Sequence, residues 1–406
     1  MVKPLEKWDV HTHTTLSPAT YEALERFSAY ADFVRIRAHA SKPCCAEMVN
    51  SRGEVLRVIE DNAYGAAVRL KDCDAHNVRV QVLSPTPMMI PDYVDHAQDA
   101  EEICKILNDD NAATAAKFPD RFVALGALPL HHPDAALREL VRIRDDLGMR
   151  GVEINSNING RDLDDPVFFP VFEALAQSGM AVFVHPWGGF MEPQEAGLKK
   201  RMNAQNGWRP WLIGMAAETA LAFDAMRRGG VHERLPHLRV LYAHGGGAFP
   251  ALLGRLEHGA YCRPDLFEKD SQKDPYKTVR ECGVYTDSLT HSPFAFGMLL
   301  ETLGAARIAT GSDYPYPLGE IEPFDAKTRK DQLGNDCPYA SPKNIYPGHM
   351  VEHLPAVDDD MAAAWKNFPW IPPENAAGEM RNLPRLTAEQ RTRILSGTAK
   401  EWLGVA

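Results

Sequence analysis

Ala181-Val182-Phe183-Val184-His185 is the stretch that decides how this chain folds. Four consecutive apolar residues rich in β-formers read as a short strand covered on both faces, and a polar side chain stands only at its end. Runs of the same kind recur along the chain, giving expected strands at 8–11, 78–83, 122–127, 152–155, 181–184, 240–243, 284–287 and 307–310. Longer amphipathic segments lie between them, at 97–117, 133–147, 166–177, 216–228 and 293–303. Pro133 suits a first helical turn, and Gly148, Gly179, Gly229-Gly230 and Gly304 supply stop signals. Strands alternating with helices imply a parallel sheet, and eight of them predict a (β/α)8 barrel.

Two stretches exceed a simple βα connection. Residues 14–56 are too many for a bare loop and call for small secondary structure of their own. Residues 321–381, rich in proline, separate the eighth strand from a final helix at 387–403. The expected plan is a barrel over 1–320 with a small insertion at about 14–56, an irregular insert or lid at 321–381, and a closing helical segment at 382–406. Both insertions would emerge at the C-terminal ends of the strands, where barrels of this kind carry their sites. The second brings His349, His353, Trp365, Phe368 and Trp370 over that face.

Composition narrows the class. The chain has 406 residues, 45% hydrophobic and 24% charged, with a formal net charge of −11. That acidity argues against nucleic-acid or anionic-membrane partners, which need a basic face to displace counterions. Any affinity for an acidic ligand must be local. Cys44, Cys45, Cys73, Cys104, Cys262, Cys282 and Cys337 are odd in number and lack CxxC spacing, which points to reduced thiols in the cytoplasm. Residues 1–8 form no signal-type apolar core, and no apolar run reaches 18 residues.

Polar residues at the strand ends carry the chemistry. His11 and His13, in Asp9-Val10-His11-Thr12-His13, alternate along the first strand and so share a face. His185 closes the fifth strand, His244 the sixth, and Asp313 follows the eighth in Gly311-Ser312-Asp313-Tyr314-Pro315. Each alone reads as a structural residue or a helix cap, but four strand ends supplying only His and Asp read as one metal site. Imidazoles and a carboxylate without thiolate suit one divalent cation, Zn²⁺ before Fe²⁺, Co²⁺ or Mn²⁺. The expected ligands are His11, His13, His185 and Asp313, with room for a water, and His244 is left to act as acid and base.

The set HxH, His185-Pro186-Trp187, His244-Gly245-Gly246-Gly247 and Gly311-Ser312-Asp313-Tyr314-Pro315 resembles the amidohydrolase superfamily. Within it, the chain is similar to the 2-amino-3-carboxymuconate-6-semialdehyde decarboxylase branch. Longer runs that carry the likeness include Arg121-Phe122-Val123-Ala124-Leu125-Gly126 and Trp211-Leu212-Ile213-Gly214-Met215-Ala216-Ala217-Glu218-Thr219. The resemblance implies an oxygen-independent, metal-dependent decarboxylase of an unsaturated or aromatic carboxylic acid, with aminocarboxymuconate semialdehyde the leading substrate. It implies Asp313 as both ligand and catalytic group, and Arg57 and Arg255 as holders of a substrate carboxylate. Arg255 would reach across the interface of a homodimer, with Arg263 a candidate for the same interface, and Trp187 and Trp211 would wall the pocket. The alternative is a hydrolase or hydratase acting on a related dicarboxylate or lactone.

The sequence also departs from that branch. Glu153 stands in the fourth strand where a neutral residue is expected, as an extra ligand, an acid or half of a buried ion pair. No lysine on that strand could bridge two metals, so one ion is expected. Tyr316 replaces phenylalanine and adds a hydroxyl near the substrate, and Gly188-Gly189 replaces a bulkier run. The three glycines after His244 could cradle a phosphate, but no GK[ST] follows, and close backbone approach at the metal is the preferred reading.

Overall fold

The computed structural model describes residues 5–43, 45–188, 208–267, 273–320 and 345–405; Cys44, Gly189, Cys337 and the 321–344 part of the long insert lie outside the described residues. Eight parallel strands form a nearly closed (β/α)8 barrel whose order follows the sequence: β1 Lys7–Thr14, β2 Val78–Pro85, β3 Phe122–Ala127, β4 Gly151–Asn155, β5 Ala181–His185, β6 Val240–Tyr242, β7 Val284–Asp287 and β8 Ile308–Ala309. The last five are buried at every position, the signature of strands with both faces covered. The accompanying helices are α1 Ala66–Ala75, α2 Ala97–Lys117, α3 Pro133–Asp145, α4 Phe169–Gln177, α5 Met215–Arg228, α6 Phe249–Cys262 and α7 Pro293–Leu303. A last helix, α8, runs through Ala388–Thr392, Arg393–Gly397 and Thr398–Leu403, and opens on a capping box between Thr387 and Gln390. No helix among the described residues is long and apolar enough to cross a membrane.

Contacts divide the chain into two compact units. The first comprises residues 1–83, 114–123 and 288–400. In it β1 meets the residues after β8: Val10 N–H donates to Thr310 O at 2.9 Å, Asp313 N–H to His11 O at 2.8 Å, and His13 N–H to Tyr314 O at 2.7 Å. The insertion after β1 is a three-stranded antiparallel sheet of Arg35–Ala38, Cys45–Val49 and Val55–Glu60, so it carries the secondary structure its length called for. Part of the long insert packs as core. Met350, Val351, Leu354, Trp365 and Phe368 are buried with Phe296 and Leu299 of α7 and Ile394 and Leu395 of α8. The second unit comprises 84–113, 124–287 and 401–406. There the rings of Phe223 on α5 and Phe249 on α6 stack 4.2 Å apart. Asn108 of α2 brackets Ala127 of β3, donating to its carbonyl at 2.9 Å and accepting from its N–H at 2.7 Å.

The segment from 345 returns to the barrel through one buried acid and one buried base. Glu320 accepts the N–H groups of Gly348 and Met350, each at 2.6 Å, and Lys7 donates to Pro347 O at 2.8 Å and to Glu352 at 2.9 Å. Burial pushes the Glu320 carboxyl up to about 8, against the pull of those two amides and of Lys7. Because the folded value lies above the ordinary one near 4.5, the folded state holds more protons than the unfolded between them. This contribution is complete below the ordinary value and declines as pH rises through about 8. Wild-type Tm should therefore fall more steeply from acid to mildly alkaline pH than that of Glu320→Gln. Parallel Tm profiles by calorimetry would refute the assignment.

Candidate metal centre

Alternation along β1 puts His11 and His13 on one face, and both are buried. Their Nε2 atoms are 3.1 Å apart, and Asp313 Oδ1 lies 3.6 Å from that of His11 and 3.3 Å from that of His13. Ligands held about 2.0–2.2 Å from one ion in a tetrahedron stand about 3.3–3.6 Å from each other, so these separations are close to the edges of a tetrahedral shell. His185 completes the group: the four residues are buried and offer ligand atoms all within 4.8 Å of one another. Three imidazoles, one carboxylate and no thiol form a donor set that fits a borderline divalent cation. The expected ligand set is brought together.

Two of the polar rim residues sit on left-handed backbone, His244 at φ 57° and Asp313 at φ 58°, which costs energy for a non-glycine residue and persists only when surroundings enforce it. Asp287, fully buried at the end of β7, does so for His244: its carboxylate accepts the N–H of His244 at 2.8 Å and of Gly245 at 2.6 Å. Asp313 is held by its N–H bond to His11 and by the neighbouring Ser312, which Asp9 grips through its N–H at 3.0 Å and its hydroxyl at 2.6 Å. Burial pushes the Asp9 carboxyl up to about 6, opposed by the Ser312 hydroxyl. Arg69, also fully buried, donates to His13 O and, at 3.1 Å, to Gln81. It lies 4.8 Å over the Tyr314 ring.

His244 is outside the four-residue group; its ring lies 5.1 Å from that of His185. Glu153 is buried on β4, opposite Phe183 of β5, and is not part of the group. The glycines after His244 make room for protein. A Cβ on Gly247 would meet Ala216 O at 2.5 Å, and one on Gly246 the Phe249 ring at 2.3 Å. The Arg57 guanidinium lies 4.7 Å over the Tyr316 ring, itself 5.5 Å from the His13 ring, so the sequence-predicted Arg57 and Tyr316 are joined to a ligand. Trp187 and Trp211 are half-buried, and Trp211 packs 6.3 Å from Trp208. Arg255 is exposed on α6, and Arg263, just beyond it, forms a surface pair with Asp265 at 2.6 Å. Asp287, Asp9 and Arg69 are not among the sequence-predicted site residues. Asp287 could have been, because it ends a strand on the side where the ligands lie, whereas nothing local marks Arg69.

Comparison with known proteins follows the same lines. The Amidohydrolase family profile matches residues 8–346. The 2-amino-3-carboxymuconate-6-semialdehyde decarboxylase of Dictyostelium discoideum is 38% identical over 340 residues, covering 82% of this chain and 90% of the relative. The enzyme of the same name from Caenorhabditis elegans is 32% identical over 385 residues, 80% of this chain and 92% of its own. Among solved structures, the 5-carboxyvanillate decarboxylase of Novosphingobium aromaticivorans, complexed with manganese and 4-hydroxy-3-methoxy-5-nitrobenzoic acid, is similar in fold. Its TM-score is 0.67 at 18% identity, over 99% of this chain and 96% of that one.

The geometry makes a direct prediction about metal. Purified protein should hold one divalent ion per chain by mass spectrometry of the elements. His185→Ala should lose it and melt at lower temperature, whereas Glu153→Gln and Asp287→Asn should retain it. A His185→Ala protein with full metal content would exclude this site.

Proposed function

The chain belongs to the amidohydrolase family, and from that premise we propose that it is a metal-dependent, oxygen-independent decarboxylase of an unsaturated or aromatic carboxylic acid. The first substrate to test is 2-amino-3-carboxymuconate-6-semialdehyde, named for two relatives. The observation that carries the reading is a buried three-histidine, one-aspartate group in a chain 38% identical to such a decarboxylase. We retain the plan of a barrel over 1–320, an insert at 321–381 and a closing segment at 382–406.

A divalent cation held by His11, His13, His185 and Asp313 supplies Lewis acidity toward a substrate oxygen. We read it as Zn²⁺ from the donor set, with the manganese of the 5-carboxyvanillate decarboxylase structure the alternative that metal analysis resolves. The chain's own residues divide the remaining work. Arg57 offers a planar fork for a carboxylate, kept in place by the Tyr316 ring. The bond from substrate carbon to carboxyl carbon breaks, carbon dioxide leaves, and the electron pair left on carbon takes a proton from His244. Asp287 keeps the His244 backbone in its left-handed turn throughout.

We further read the protein as a cytoplasmic homodimer in which Arg255 of one protomer serves the site of its partner. The exposure of Arg255, and of Tyr261 (83% exposed) on the same helix α6, supports this. Free thiols at Cys73, Cys104, Cys262 and Cys282 agree with a reducing compartment.

His244→Ala should keep its metal and lose roughly 10²–10⁴-fold in carbon dioxide release. An active variant refutes the proton role, and ¹⁸O-water incorporation without carbon dioxide would replace decarboxylation by hydrolysis. Mixing inactive Arg255→Ala with inactive His244→Ala should restore part of the activity, since a crossed dimer contains one intact site. Failure to complement, or a monomer by light scattering, removes the shared site.

A further inference from the structure

Glu218 belongs to the run Trp211-Leu212-Ile213-Gly214-Met215-Ala216-Ala217-Glu218-Thr219. Glu218, in the first turn of α5, is a buried carboxylate. It accepts from Ser156 Oγ at 3.3 Å and from Asn157 Nδ2 at 3.2 Å, two consecutive residues just past the end of β4. Both donors also hold the main chain of Trp187. Asn157 Nδ2 donates to Trp187 O at 2.9 Å, and Ser156 Oγ lies 3.2 Å from the same oxygen while accepting Trp187 N–H at 3.2 Å. Ser156 N–H completes the seam by donating to His185 O at 2.9 Å.

The chemistry explains why an acid stands there. Asn157 has two amide protons and Ser156 one, and one oxygen of Glu218 faces donors on both side chains. A charged carboxylate attracts both donors more strongly than a neutral group can. With Glu218 in place, Ser156 and Asn157 are fixed on both sides, and the main chain at Trp187, two residues beyond a metal ligand, is fixed with them. Gly188 turns the chain away immediately afterwards at φ 72°.

We propose that Glu218 is a positioning residue which, through Ser156 and Asn157, sets the place of Trp187 as a wall of the substrate pocket and so governs acid binding without touching substrate or metal. This rests on the decarboxylase reading, in which Trp187 borders the pocket. Glu218 thereby controls affinity for the acid, and His244 controls the proton.

A double-mutant cycle on the metal-loaded enzyme tests it, using Glu218→Gln, Trp187→Ala and the double variant. Glu218→Gln should raise KM about tenfold, the value of a weakened charge-assisted bond, with kcat held within about twofold and metal content unchanged. The double variant should be no worse than Trp187→Ala alone, because the effect of Glu218 on KM runs through that residue. Additive KM effects, or loss of kcat and metal with KM unmoved, overturn the proposal. If Glu218→Gln does not fold, Asn157→Ala runs the same cycle. Should the wild type release no carbon dioxide, the decarboxylase reading fails, and the cycle is run on calorimetric Kd values for 4-hydroxy-3-methoxy-5-nitrobenzoic acid. Coupling there upholds the role of Glu218, and additivity or absence of binding by the wild type overturns it.

Discussion

Everything at the site depends on the hydrogen bonds by which β1 meets the residues after β8. The bond from Asp313 N–H to His11 O fixes the Asp313 carboxylate against the strand that carries His11 and His13, and the bond from His13 N–H to Tyr314 O repeats the link two residues on. Side-chain separations of 3.1–3.6 Å among His11, His13 and Asp313 follow from main-chain register. A slip by one residue would turn both histidines away together. The spacing of these three side chains is therefore a property of barrel closure, with rotamer choice making only the final adjustment.

Around that register, buried carboxylates act on loops through peptide N–H groups. Asp287 holds His244 and Gly245, Asp9 holds Ser312, and Glu320 holds Gly348 and Met350. Glu218 does the same through side-chain donors. An acid that accepts several N–H bonds meets its need for partners and shapes the backbone supplying them. The buried bases serve the same end, since both Lys7 and Arg69 donate to main-chain carbonyls.

The barrel was legible because its signal is local and repeated. Most strands are short apolar runs, and α2 and α7 keep the limits their periodicity and stop signals imply, 97–117 and 293–303. Helix α6 was not legible: Gly254 and Gly259 lower its intrinsic propensity, and packing such as Phe249 on Phe223 favours it. Ligands were legible because their strands end where the pattern breaks. Their supports were less so, since Asp9, Arg69 and Glu218 act through partners distant in sequence or on other elements. The long insert reads as irregular because its apolar residues follow no period, yet Trp365 and Phe368 are core.

Placing the ligands at both ends of the barrel sequence has a consequence for synthesis. His11 and Asp313 are separated by about 300 residues, so at roughly 5–20 residues per second the first histidines wait about 15–60 s before the aspartate exists. Until then β1 can pair only with β2, and the group lacks its carboxylate. Assembly of the four-residue group is thus a late event, open only to a chain translated past its eighth strand.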